Sequence, residues 1–128
     1  MHRALRAVAG WWLTRRLPPN LSAGDVCAVI SEDGGYQIAK VLKADRSIVH
    51  VQVYKERFPA VPAHVDTGTL SLGTIHDADG FGMGHLPLSR RSFAWWAPVR
   101  IQSESVCEEE LDGYRVWEES GGGVWGLR

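Results

Sequence analysis

The sequence predicts a mainly β, α+β domain, built as a small and strongly bent barrel of four to six short strands with flanking helices. Residues 23–54 hold three short apolar runs with the two-residue period of strands, separated by turn residues. The chain before these runs has the periodicity of an amphipathic helix. The chain after them carries helix-start signals near residues 89 and 105.

The first 22 residues predict an N-terminal amphipathic helix and a linker. The apolar stripe of this helix consists of Leu5, Val8, Ala9, Trp12 and Leu13. Arginines interrupt and close the stretch, so we expect neither a signal peptide nor a membrane span. Pro18 and Pro19 end the helix, because a residue before proline is pushed out of the helical region. We expect the helix to pack on the single domain of residues 23–128; the alternative is that it lies on an anionic membrane surface.

Three strands are expected, over residues 26–32, 36–43 and 48–54. The sequence Asp33-Gly34-Gly35 joins the first two, because glycine allows the positive φ that a tight turn needs. In the third strand, alternate residues point to opposite faces. The valine row of that strand predicts its buried face: Val49, Val51 and Val53.

The second half predicts shorter elements. We expect a short strand over residues 69–72, a loop over 77–84 and a last strand over 97–102. Ser89 is expected to cap a short helix near residues 90–96. Ser105 and Glu108 have the spacing of a capping box, which predicts a C-terminal helix that ends at the glycines of residues 121–123. The expected packed stripe of this helix is Leu111, Tyr114 and Trp117.

Length and charge exclude several classes of protein. The chain has 128 residues and a formal net charge of −1, which suits one domain and disfavours a protein that neutralises many nucleic-acid phosphates. Residues 1–20 carry a net charge of +4, residues 21–103 carry none, and residues 104–128 carry −5. The two ends can attract each other or present opposite faces to a partner; two solvated helix faces are the simpler interpretation.

The two cysteines do not form a metal motif. Cys27 and Cys107 are far apart, and neither has the spacing of a zinc site. Cys27 lies in an apolar alternating run, where a free cysteine behaves as a small buried hydrophobic residue. We therefore expect two reduced thiols in a cytoplasmic protein.

No motif predicts catalysis, a metal ion or a cofactor. Asp77 and Asp79 imitate the start of a calcium loop, but no bidentate Glu follows at the required spacing. The glycines of residues 80–84 lack the Lys and Ser/Thr of a phosphate loop. Nothing near Ser89 resembles a nucleophile elbow. Four of the five histidines are scattered without metal-binding spacing, at His50, His64, His76 and His85.

Several segments carry a resemblance to a known family. They are Gly24-Asp25-Val26, Gly35-Tyr36, Ala39-Lys40-Val41-Leu42, Val51-Gln52-Val53-Tyr54-Lys55, Gly84-His85-Leu86-Pro87-Leu88-Ser89, and Glu110-Leu111 with Gly113-Tyr114 and Trp117. Together they resemble small bacterial SH3-like barrel proteins predicted to be immunity proteins of polymorphic toxin systems. The resemblance covers about residues 23–125. It implies an SH3-like barrel and a non-catalytic protein that binds and silences a toxin.

The first functional hypothesis is therefore an immunity protein that covers the active site of a cognate toxin. Small barrels gather aromatic side chains into grooves, and residues 55–59 mix charge with an aromatic ring as interface rims do. The acidic residues 108–119 suit a basic, nuclease-like toxin. The residues expected to bind the partner are Tyr36, Tyr54, Lys55, Arg57, Phe58, His85, Glu109 and Glu110.

Two other hypotheses stay open. One is an SH3-like module that reads a peptide or a nucleic acid through an aromatic groove that also contains Trp95 and Trp96; it predicts many weak, salt-dependent ligands. The other is a small enzyme whose site combines Tyr54, His85 and Asp66, which predicts loss of turnover on single substitutions.

Overall fold

The computed structural model describes residues 16–72 and 82–124, which form one five-stranded antiparallel sheet with two short helices. The strands are β1 (Asp25–Ile30), β2 (Tyr36–Ala44), β3 (Ile48–Val53), β4 (Met83–Ser89) and β5 (Val99–Ser103). Their order in the sheet is β4-β3-β2-β1-β5. The chain therefore passes through four neighbouring strands in turn and returns with β5 to the free edge of β1.

The mainly β, α+β prediction is confirmed, whereas the described strands form a sheet that is not closed into the predicted barrel. A barrel needs its two edge strands to pair, and the edges β4 and β5 lie at opposite ends of the strand order. Three of the four strand pairings contain a register shift, and a bulge bends the strand that carries it.

The expected strands 26–32, 36–43 and 48–54 are confirmed as β1, β2 and β3 to within two residues. The tight turn is confirmed too: Gly34 has a φ of +91°, and the Gly35 amide donates to Asp33 Oδ1 at 3.1 Å. The valine row of β3 is buried as predicted, but the opposite row is buried as well. The alternation of residue types could not predict that both rows are buried. β3 is a central strand, and both of its faces are covered.

Each face of the sheet carries its own apolar cluster. The first face holds the larger one, which includes Leu21, Cys27, Val29, Ala39, Val41, Val49, Val51, Val53, Leu86, Leu88 and Phe93. The second face holds Val26, Ala28, Ile38, Tyr54 and Val65. Cys27 is free and fully buried as expected, and this burial raises the pKa of its thiol to about 12. Cys107 is free and exposed.

The first helix, α1 (Arg90–Trp95), begins where the sequence predicts. Ser89 Oγ accepts a hydrogen bond from the Ser92 amide at 3.1 Å, which satisfies one of the free amides at the helix start. Phe93 projects from α1 into the first-face cluster and is fully buried. The following strand, predicted over residues 97–102, is β5.

Two expectations between β3 and α1 are wrong. Thr67–Thr69 form a 3-10 helix and residues 70–72 form no strand, because Asp66 accepts from the Gly68 amide and turns the chain there. The end of the predicted loop 77–84 is also wrong, since Met83 and Gly84 belong to β4. Residues 77–81 of that loop lie outside the described residues, as do residues 1–15 of the N-terminal helix and linker predicted over residues 1–22. Pro87 obscured β4 in the sequence, although proline is tolerated on an edge strand.

The C-terminal helix begins later than predicted. A 3-10 helix over Glu109–Leu111 leads into α2 (Asp112–Glu119), and Ser105 is not its N-cap. The carbonyl of Ser105 instead accepts a hydrogen bond from the buried Lys40 ammonium. The predicted end of the helix is confirmed, because the φ angles of Gly121 and Gly122 are +94° and +74°, a region that glycine enters at low cost.

Candidate binding surface

The C-terminal segment, residues 104–124, covers a polar row on the second face of the sheet. Gln102, Val26, Lys40 and Gln52 are register neighbours on four adjacent strands, β5, β1, β2 and β3. Three of these four side chains are polar. Burying polar side chains is costly unless each finds a partner, so the segment above them must supply hydrogen bonds.

Lys40 is the centre of this polar row and is only 3% exposed. Its ammonium donates to the carbonyl of Ser105 at 2.7 Å and contacts Glu104 and Glu110, each at 3.0 Å. Three acceptors match the three N–H groups of a lysine. Burial alone would lower the pKa of Lys40, but the bonds to Glu104 and Glu110 outweigh burial and raise it. Lys40 therefore stays charged and holds the segment onto the sheet.

Glu110 joins this network from the 3-10 helix. Its carboxylate accepts from Lys40, from the Cys107 amide at 2.8 Å, and from the Gln52 side chain, whose amide also donates to Tyr54 Oη at 2.9 Å. Burial raises the pKa of Glu110, but the hydrogen bonds from Cys107 and Lys40, with the positive charge of Lys40, outweigh burial and lower it. Glu110 is thus an inward-facing residue of the polar network.

Farther along the same face, α2 rests on two histidines. His50 on β3 is 2% exposed, and its Nδ1 lies 2.9 Å from Nε2 of His85 on β4. Tyr114 and Trp117 of α2 pack edge-on against His50, with ring centroids 4.8 and 4.5 Å away. The predicted α2 stripe is confirmed for these two aromatic residues. Burial and then the neighbouring His85 lower the pKa of His50 from 6.5 to about 4.

Gly113 lets α2 approach the sheet closely. A Cβ at this position would lie 2.6 Å from Cβ of His85, closer than nonbonded atoms allow. An alanine would be favourable by ~1 kcal/mol in an isolated helix, whereas overpacking costs about 1–3 kcal/mol.

We expect Gly113→Ala to lower the free energy of unfolding by about 1 kcal/mol in urea titrations. The matched control is Gly123→Ala, because nothing lies within 4 Å of a Cβ built on Gly123. A Gly113→Ala variant as stable as the wild type would mean that α2 is not seated on His85.

The outward side of the C-terminal segment is an acidic surface formed by Glu109, Asp112, Val116 and Glu119. Val116 is 65% exposed, and helical spacing places Asp112 one turn before it and Glu119 one turn after it. Arg115 is the one basic residue of the segment, and it pairs with Glu108 and Asp112. The acidic surface therefore has an exposed apolar centre within a negatively charged rim.

The predicted binding residues fall into separate places. Tyr36 and Phe58 pair through their backbones and pack against the second-face cluster. Arg57 is exposed and bonds to Asp33 at 2.8 Å, and Lys55 donates its backbone amide to Ser71.

The polar groups of Tyr54 and His85 already make hydrogen bonds within the protein. Tyr54 is 5% exposed and its hydroxyl accepts from Gln52, while His85 bonds to His50. Asp66, the third residue of the enzyme hypothesis, is exposed and caps the 3-10 helix of Thr67–Thr69. The structure does not bring Tyr54, His85 and Asp66 together.

Glu109 and Glu110 are adjacent in the sequence, but their side chains have different environments. Glu109 is exposed on the acidic surface, whereas Glu110 faces Lys40 and Gln52. The sequence did not predict that Lys40, His50 and Gln52 lie beneath the C-terminal segment. The one available signal was the presence of polar residues in alternation on β2 and β3, which a solvated face explains equally well.

A groove of about 380 Å³ lies at the other end of the sheet. It is lined by Val29, Ile30, Ser31, Glu32, Gln37, Val53, Arg57 and Trp96. Ile30 is 43% exposed there. Of the aromatic residues predicted to form a groove, Trp96 lies in this one.

Comparison with known proteins gives no further constraint. No protein-family model matches the sequence, and no curated protein or solved structure is significantly similar to it. Within residues 16–72 and 82–124, no helix is long and apolar enough to cross a membrane. The same residues contain no group of three or more His, Cys, Asp or Glu side chains that could hold a metal ion.

Proposed function

We propose that this protein is a non-catalytic binding protein, of the immunity type, that neutralises a basic protein toxin through the acidic surface. The observation that carries the proposal is an exposed apolar side chain, Val116, within a rim of unbalanced acids. Interfaces commonly place an apolar centre within a polar rim, and complementary charge speeds encounter and sets orientation. The same proposal includes a cytoplasmic location and a fold related to SH3-like barrels. The return of β5 to β1 is consistent with a sheet of that type left open.

Within residues 104–124, the acids outnumber the basic residues. Lys40 pairs with Glu104 and Glu110 on the inner side of this segment, and Arg115 is the one basic residue of the segment that pairs with its outward acids. The outward acids are Glu108, Glu109, Asp112, Glu118 and Glu119. The segment therefore presents an excess negative charge outward, which suits a basic nuclease-like partner.

The surface is also held in place before binding. Lys40 fixes the start of the segment and the His50–His85 pair supports α2, so little conformational freedom is lost when a partner docks. A preorganised acidic face is favourable for an inhibitor that must act quickly.

The direct test is co-expression with the product of the neighbouring large open reading frame. We expect that product to be toxic alone, harmless together with this chain, and co-purified with it at about nanomolar affinity. A neighbour that neither binds nor harms the cell would contradict the proposal.

The charge reversal Glu109→Lys/Glu119→Lys should slow association with that partner roughly tenfold at low salt, and by less at high salt, because screening weakens steering. Stopped-flow mixing measures this rate. Glu32→Lys is the control and reverses one charge away from the acidic surface, since Glu32 is exposed and lines the groove at the other end of the sheet. Equal slowing per reversed charge would show that net charge acts without the acidic surface. Glu110→Lys is unsuitable because Glu110 faces Lys40.

The peptide- or nucleic-acid-reading module has less support. The aromatic residues that such a groove needs do not form one exposed groove: Tyr54 is buried in the second-face cluster, Tyr36 and Phe58 pack against that same cluster, and Trp96 lines a separate groove beside Ile30. An enzyme that uses Tyr54, His85 and Asp66 would require these residues to leave their present hydrogen bonds.

A further inference from the structure

A cluster of four ring side chains joins α2 to the sheet; His50 is buried and the other three are half-buried. It consists of His50, His85, Tyr114 and Trp117. The two imidazoles stack at 5.2 Å between centroids, and both aromatic residues of α2 contact them. These are the main side-chain contacts between α2 and the sheet that the described residues show, together with Gly113 on His85.

The hydrogen bond between the two rings restricts their protonation. At 2.9 Å, one of His50 Nδ1 and His85 Nε2 must donate and the other must accept. A single proton added to the pair can keep this bond. When both rings are fully protonated, both nitrogens carry hydrogen, no acceptor remains, and two positive charges face each other.

The charged groups around the pair do not remove this conflict. Lys43 on β2 lies opposite His50 on β3 in the strand register. Its ammonium is 4.8 Å from the centroid of the Tyr114 ring and adds positive charge. Asp45 in the β2–β3 turn and Glu118 on α2 favour protonation, but Asp45 is occupied by the Ser47 and Ile48 amides. Pro87, opposite His50 on β4, has no charge.

We propose that the His50–His85 pair is an acid-sensitive latch, in which protonation of both rings breaks their hydrogen bond and releases α2 from the sheet.

The sign of the pH dependence follows from burial. The pKa of His50 is about 4 when α2 is docked and 6.5 when the ring is exposed, and burial lowers the pKa of His85 as well. The open state therefore binds more protons, so docking is favoured above pH 6.5 and is weakened progressively as pH falls toward 4. At about pH 5 the opening of α2 should be roughly tenfold more frequent, or more, than at about pH 7.5.

The carboxylates of the polar network titrate in a lower pH range than the histidine pair. Hydrogen bonds to Lys40 and to neighbouring groups lower the pKa of Glu104 and of Glu110 below 4.5 despite burial. Their contribution is lost as pH falls through those lowered values. A measurement at about pH 5 therefore separates the histidine pair from them.

The test is amide hydrogen exchange of the full chain, corrected for the intrinsic pH dependence of exchange, with the imidazole resonances titrated by NMR in the same samples. We expect protection of α2 to fall between about pH 7.5 and about pH 5, together with His50 protonation, while β2 keeps its protection. Unchanged protection of α2, His50 titration with α2 still protected, or parallel loss of α2 and β2 would each overturn the proposal.

Two variants sharpen this test. His85→Gln keeps a hydrogen-bonding group beside His50 but removes the second charge, so the acid response of α2 should become several-fold smaller. His64→Gln is the matched control, because His64 is exposed and outside the pair, and its response should equal that of the wild type. An undiminished response in His85→Gln would contradict the latch.

The latch does not depend on the proposed partner. If the acidic surface does bind a basic toxin, release of α2 would also weaken that complex near pH 5. A failed toxin-binding experiment would leave the exchange result unaffected, so the two inferences can fail separately.

Discussion

Replacing Lys40 by methionine should lower the free energy of unfolding by about 3 kcal/mol at neutral pH. The change keeps the length of the side chain but leaves Glu104 and Glu110 facing each other without a counter-charge, and the Ser105 carbonyl without its donor. We place the cost at the lower end for a broken buried ion pair, because the two carboxylates keep 28% and 19% exposure. Urea denaturation followed by circular dichroism measures the loss.

A triple variant separates charge from packing. Lys40→Met/Glu104→Gln/Glu110→Gln removes all three charges, and it should recover most of the stability that Lys40→Met loses. Lys43→Met is the matched control on β2; Lys43 is exposed and contributes a cation–π contact worth about 0.5–1 kcal/mol. If Lys40→Met costs no more than Lys43→Met, the polar network does not anchor the C-terminal segment.

Replacing Phe93 by alanine should destabilise the domain by about 3–5 kcal/mol, the largest effect that we expect from one substitution. Phe93 is fully buried, packs within the first-face cluster and stacks edge-on with Trp96 at 5.9 Å. Its removal leaves a cavity between α1 and the sheet that the rigid strands cannot fill. Thermal and urea unfolding should both shift.

Arg91→Ala is the control for this substitution, since Arg91 is exposed on the same helix and should change stability by less than about 0.5 kcal/mol. Phe93→Leu should lie between the two, because it restores most of the lost volume. A Phe93→Ala loss below about 1.5 kcal/mol would mean that α1 is not part of the cooperative core.

Local signals in the sequence determined much of the fold. Alternating apolar residues specified β1, β2 and β3, glycine specified the turn at Gly34 and the end of α2, and Ser89 specified the start of α1. These features depend on neighbours within a few residues, which is why they could be predicted. β4 could not, because Pro87 and the glycines before it have poor strand propensity and only pairing with β3 makes them a strand.

The candidate binding surface could also be predicted only in part from the sequence. The acidic character of residues 108–119 is visible in the sequence, but the opposite orientations of Glu109 and Glu110 are not. They depend on Lys40 and Gln52, which lie 70 and 58 positions away from Glu110 in the chain. The capping-box spacing at Ser105 and Glu108 does not start the helix, which begins at Asp112, and the Ser105 carbonyl accepts from the distant Lys40 ammonium.

The sequence alone thus determined the class of fold, its principal turns and the sign of its charged end. Tertiary structure alone decided that the sheet stays open among the described strands, that β3 is buried on both faces, and that His50 meets His85 beneath α2. The physical reason is that periodicity and turn chemistry act over a few residues, whereas the partner of a buried polar group is chosen by whichever distant segment covers it.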